Sequence, residues 1–372
     1  MRLIKILFIA ALANITQSCL PADEDPVAVL PITGDVVDPV VGGAREQNQV
    51  WIDLTAPDKP SQNLRTDWDL GFYTGDEYRV VINGSIAMAV GKIPNANDID
   101  AVKSSDLTSL MDLVQLGTFD VSNLQYVDNP NGMFLTQTTG IAPVSEKESD
   151  NPIYLVNMGR KLADANSVIA PGSALLAGDT RGWKKMQIIR NGTTGYKIKF
   201  ADLNATQHQE YIITKNPDYN FNFFSLENAK EVMIQPRKKN WDIAFTTFTN
   251  EVFSGTESAG SYFYADYVIT NITDGVGAYQ VNVPAGQNMD QFYANYKMKD
   301  VDAVKFIFND QRAIGSNWRV TAVPGGSSPH IQGNVFFIIK DAEGFMFKLR
   351  FNKMSDDKTG ERGHPQFEYE PL

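Results

Sequence analysis

The chain has one cysteine, Cys19, and three histidines, His208, His330 and His364, in 372 residues. One thiol excludes an internal disulfide. With no two histidines close together there is no HExxH helix and no zinc-ligand spacing, and no GxSxG elbow, P-loop or dinucleotide glycine fingerprint occurs. A glycosidase carboxylate pair would leave no such local trace, because it assembles from distant strands. Asp98 and Asp100 lack the spacing of an EF-hand and read as a solvated turn. Positive charge is also scarce: 33 Lys and Arg against 44 Asp and Glu give a net charge of −11, the wrong footprint for a nucleic-acid partner. After the N-terminus, no apolar run approaches the roughly 20 residues of a membrane-spanning helix.

The N-terminus reads as a targeting segment. Arg2 and Lys5 precede an apolar run from Ile6 to Ile15 broken by Asn14, and Thr16-Gln17-Ser18 closes it. Residues 1–18 are therefore expected to be a signal peptide. Cys19 follows the small Ser18 and resembles the lipid-attachment cysteine of bacterial lipoproteins. The acidic Asp23-Glu24-Asp25 resembles the Bacteroidetes signal that sends lipoproteins to the outer face of the outer membrane. Proline and glycine among Val and Asp up to residue 44 predict a flexible tether over 19–44.

What the chain does contain is a repeat. Hydrophobic residues make up 43% of it, ample for packed cores, and about 350 residues beyond the signal suit two domains. The stretch NWDIAF (240–245) echoes DWDLGF (67–72). Period-two alternation places Trp241, Ile243 and Phe245 on one face of a strand and Asp242 and Ala244 on the other. It does the same for Trp68, Leu70 and Phe72 against Asp69 and Gly71. Each buried indole needs an acceptor for its N–H, and each Asp either ties down a neighbouring turn or meets water. A strand precedes each copy, Gln49–Leu54 in one case and Tyr219–Leu226 in the other. Further on, each half has a glycine-turned hairpin, IIRNGTTGYKIKF (188–200) and FIIKDAEGFMFKLRF (337–351). Each then closes on a tyrosine-containing strand, Glu210–Ile213 and Phe367–Glu370. The expectation is an all-β protein of two tandem antiparallel domains, 45–215 and 216–372. A short helix over 106–111, capped by Ser105 or Asp106, and a long loop over 121–152 interrupt the first.

These residues resemble the HmuY family of haem-binding lipoproteins from Bacteroidetes. The likeness is carried by NWDIAF, by NVFFIIKDAEGFMFKLRF (334–351) with Trp318 before it, and by the closing QFEYEPL. In the first half it is carried by TDWDLGF, MQIIRNGTTGYKIKF and EYIITKN. Members usually hold one such domain, so a tandem departs from the common layout. The resemblance implies binding rather than catalysis. Haem, free or taken from a host haemoprotein, is the ligand it implies, with delivery to a TonB-dependent receptor. Haem iron takes His, Met, Cys or Tyr as axial ligands. The family's ligand position after the late Trp falls near Val323, which has no donor, so the candidates in the second half are His330, Met298, Met289 and His364. The first half offers His208, Met88, Met111, Met133, Met158 and Met186. The alternative is a structural or adhesive surface protein that kept the fold without haem ligands. A glycan-binding groove would have to use aromatics such as Tyr262, Phe263 and Tyr264.

Overall fold

Residues 32–57, 59–321 and 328–372 are described by a computed structural model, and in them the alternating segments form strands. The first half carries β1 (Asp35–Val37), β2 (Asn48–Ile52), β3 (Ser61–Leu64), β4 (Leu70–Tyr73) and β5 (Val80–Ile82), followed by β6 (Ala89–Lys92), β7 (Ile153–Asn157), β8 (Trp183–Asn191), β9 (Gly195–Asp202) and β10 (Gln209–Thr214). The second half carries β11 (Phe221–Ser225), β12 (Lys230–Val232), β13 (Ile243–Ser254), β14 (Glu257–Thr270) and β15 (Gly277–Asn282), then β16 (Arg319–Val320), β17 (His330–Ile331), β18 (Val335–Lys340), β19 (Met346–Ser355) and β20 (Arg362–Pro371). Every pairing is antiparallel. The helix expected over 106–111 is α1 (Thr108–Leu113); a 3₁₀ turn at Ser104–Asp106 precedes it and Leu107, with no capping side chain, stands at its start. The second helix, α2 (Met289–Asn295), is capped by Asn288.

Both glycine-turned hairpins form. β8 pairs with β9 and β18 with β19, and the second turn is pinned by Asp341, whose Oδ1 accepts the N–H of Glu343 at 2.9 Å and of Phe345 at 2.7 Å. The closing strands lie beside them. One five-stranded sheet therefore runs β10-β9-β8-β7-β6 and the other β1-β20-β19-β18-β15. The stretch expected to be a tether contains regular structure, since β1 pairs with the C-terminal strand β20 and buries Val37.

The two halves exchange their opening hairpins. β2 and β3 of the first half join β13 and β14 of the second, and β11 and β12 of the second join β4 and β5 of the first. Register makes the exchange reciprocal: Leu70 faces Phe224 and Ile82, while Ile243 faces Ile52 and Thr270. Counting outward from these pairs, Trp68 corresponds to Trp241, Asn83 to Asn271, Phe223 to Trp51, Phe221 to Gln49 and Leu226 to Leu54. Residues 34–372 accordingly form one compact unit. One core gathers Leu70, Phe72, Ile198 and Phe200 with Phe224 and Leu226 across the sequence boundary.

Candidate functional site

The signature residues are where the exchange is fastened. Asp69 N–H donates to the Phe224 carbonyl at 2.9 Å, and Asp242 N–H to the Ile52 carbonyl at 2.8 Å. The carboxylates then accept from the end of the same visiting strand, Asp69 Oδ2 from Leu226 N–H at 2.7 Å and Asp242 Oδ2 from Leu54 N–H at 2.8 Å. Asn83 and Asn271 donate their side-chain amides to the carbonyls of Trp68 and Trp241 at 2.8 and 3.0 Å. Of the two roles open to the Asp side chains in the sequence, tying a turn is the one seen. Both are buried rather than solvated.

The Trp side chains overturn the expected facing. Trp68 and Trp241 lie just before their strands begin, so the period-two projection does not reach them. They leave the face of Leu70 and Phe72 and join a central aromatic cluster with Ala244, Phe221, Phe223 and Trp51. Each stands edge-on to the aromatic residue of the visiting strand: Trp68 to Phe223 and Trp241 to Trp51, both with ring centroids 4.8 Å apart. Small residues make room for these rings. A Cβ carrying a side chain at Gly71 would meet Val81 at 2.9 Å and Phe223 at 3.3 Å.

Against this cluster lies a cavity of about 140 Å³. Corresponding residues of the two halves line it, namely Trp68 with Trp241, Trp51 with Phe223, Gln49 with Phe221 and Ile82 with Thr270. Val127–Pro130, Phe134 and Thr138–Thr139, all from the long loop of the first half, also line it. Aromatic walls with a few placed polar groups are the usual make-up of a small-molecule site. Among the described residues, Asp128 is the one ionisable side chain of the wall. It accepts the N–H of Ile82 at 2.8 Å and of Gly140 at 2.9 Å, and burial, which outweighs those bonds and the charge of Arg79, pushes its carboxyl up to about 7.

The proposed haem donors stand elsewhere. His330 is exposed on β17, with Nδ1 2.8 Å from the Ser328 carbonyl. Met298 is exposed at the start of a 3₁₀ turn. Met289 opens α2 and packs beside Tyr293 and Phe336. His364, in β20, lies 3.2 Å from the Glu361 carboxylate. None of these four lines the cavity. In the first half His208 pairs with Asp100 at 3.0 Å, Met111 packs against a side cluster, Met133 sits in a turn, and Met88, Met158 and Met186 are core residues. Met88 alone reaches the cavity wall. A haem held by two axial side chains does not fit this cavity, which offers one thioether and no histidine or tyrosine among the described residues. Cys19 and Val323 lie outside the described residues.

The fold defines a tandem antiparallel-β protein with an aromatic-walled cavity where its exchanged hairpins meet. The family model described as "HmuY protein" matches residues 45–215 and again 218–369, and the chain belongs to the HmuY family, a non-enzymatic family known for haem binding. Among solved structures, similarity is found to the crystal structure of the Tannerella forsythia apo HmuY analog (TFO), at 17% identity over 44% of this chain and 84% of that one, with a TM-score of 0.20. No curated protein is matched. The cavity residues Gln49, Phe221 and Phe223 were missed as functional candidates in the sequence. Their signal was the repeat itself, once the strands before each signature are laid side by side.

Proposed function

We propose that the chain is a non-catalytic surface lipoprotein, lipidated at Cys19 and held at the outer membrane, that captures haem for iron acquisition and passes it to a TonB-dependent receptor. Family membership supports the ligand class. The observation that carries the reading is the aromatic cavity between the exchanged hairpins, whose Trp51, Trp68, Trp241, Phe221 and Phe223 suit the faces of a flat ring. In this reading ring contacts rather than a pair of axial ligands hold the macrocycle. The adhesive alternative is favoured by a different observation, the separation of His330, Met298, Met289 and His364 from the cavity.

A titration of residues 26–372 with haemin, and in parallel with metal-free protoporphyrin, tests this. The expected result is saturable one-to-one quenching of tryptophan fluorescence by both compounds, with a Soret change for haemin. Survival of that change in His330→Ala and Met298→Ala supports ring-face capture, and its loss places the haem on those donors. Absence of saturable binding by either compound overturns haem capture and leaves adhesion.

A further inference from the structure

The polar groups around the cavity are almost all satisfied from within the protein. Gln49 Oε1 accepts Trp68 Nε1–H at 2.8 Å, and its amide donates to Thr246 Oγ1 at 3.1 Å. The hydroxyls of Thr246, Thr247 and Thr249 donate, each at 2.8 Å, to the carbonyls of Thr247, Ser85 and Gly84. Trp51 Nε1–H donates to Asn63 Oδ1 at 2.8 Å. Among the buried side-chain polar atoms of the wall in the described residues, the exception is Trp241, which is 4% exposed and whose Nε1–H has no partner.

Register explains the exception. Trp68 finds its acceptor in Gln49 of the opening strand of its own half. The corresponding residue for Trp241 is Phe221, which has no acceptor atom. A buried donor left without a partner is destabilising, and a ligand acceptor placed there removes that cost. The charge of the ligand follows from the same wall. Among the described residues no Lys, Arg or His lines the cavity and Asp128 does, so the carboxylates of a haem would stay outside it and the part of a ligand that enters is uncharged.

We propose that Trp241 is the anchoring donor of this cavity and that the cavity takes a neutral, flat aromatic group bearing a carbonyl or hydroxyl oxygen. The proposal rests on the preceding reading that the cavity is the binding site. Two fluorescent probes of similar size separate the two claims: prodan, a neutral naphthalene with a carbonyl acceptor, and phenylnaphthylamine, a neutral naphthalene without one. Wild-type protein is expected to bind both. Trp241→Phe is expected to weaken prodan about three- to tenfold, the worth of one hydrogen bond, and to leave phenylnaphthylamine within about twofold. Trp68→Phe, whose N–H is already committed to Gln49, is expected to change both probes alike.

With the tryptophans labelled by ¹⁵N, the Trp241 indole proton is expected to move downfield on adding prodan and to stay in place with phenylnaphthylamine. Equal weakening of both probes by Trp241→Phe, or an indole resonance indifferent to prodan, overturns the assignment of Trp241. Failure of both probes to bind the wild type overturns the present proposal, while the preceding reading stands or falls on the titration with haemin and protoporphyrin.

Discussion

The two signature copies use the same residues and differ in what completes them. Around the first copy the set is closed: Trp68 has Gln49, and Asp69 has Arg181, whose Nη1 lies 2.7 Å from its Oδ1 while Nη2 reaches Glu227 at 2.9 Å. Around the second it is open. Trp241 has no acceptor, and Asp242, which forms no ion pair among the described residues, has three acids in its field, Asp53, Asp341 and Glu343. Burial raises the carboxyl of Asp69, with Arg181 pulling it back. It raises that of Asp242 much further. One half is finished as a structural joint, while the other keeps one buried indole N–H, that of Trp241 in the cavity wall, without an acceptor.

The contrast can be broken from the closed side. Arg181→Met leaves Asp69 buried and unpaired, and should lower the unfolding free energy by about 3–5 kcal/mol, read as a fall in the urea midpoint. Next in size, Gln49→Leu gives Trp68 the orphan N–H that Trp241 already has and should cost about 1–3 kcal/mol. If Gln49→Leu is neutral, the difference between the two tryptophans has no energetic meaning.

The smallest effect comes from the open side. Asp242→Asn keeps an acceptor for Leu54 N–H and should change stability by no more than about 1 kcal/mol at low pH, where the wild-type carboxyl is neutral as well. Its pH dependence is the sharper reading. A carboxyl raised above its ordinary 3.8 stays protonated longer in the folded state than in the unfolded one. Its contribution to stability therefore falls as pH climbs above 3.8 and is fully lost once the folded value is passed. The variant escapes that loss, so denaturation at pH 5 and pH 8 should show Asp242→Asn gaining on the wild type with rising pH. A gain in the opposite direction would mean that Asp242 has a cationic partner after all.

Much of the fold was legible because its signals are local. Alternation and turn glycines mark β8–β9 and β18–β19 without reference to anything distant, and the two copies of the Trp-Asp signature announce the repeat. The exchange was not legible. Gln49–Ile52 has the same period whether it pairs with β4 or with β13, and periodicity names a face, never a partner. The faces of Trp68 and Trp241 were misread because the strands start at Leu70 and Ile243, after each tryptophan. The site suffered most. His330, Met298, Met289 and His364 were selected by donor chemistry, and chemistry does not report position. The residues that line the cavity were visible only as core aromatics until their register with the opposite half was known.

The exchanged hairpins also set an order of events during synthesis. Strands β4 to β12 lie within Leu70–Val232 and complete two sheets among themselves, so this stretch can fold as soon as it is made. The earlier strand at Asn48–Ile52 has to wait for β13, with Trp51 and its backbone edge unpaired in the meantime. A chain cut or stalled before Trp241 would keep that edge open permanently and stick to its neighbours. The joint that makes residues 34–372 one body thus makes their unfinished form a hazard for the cell to clear.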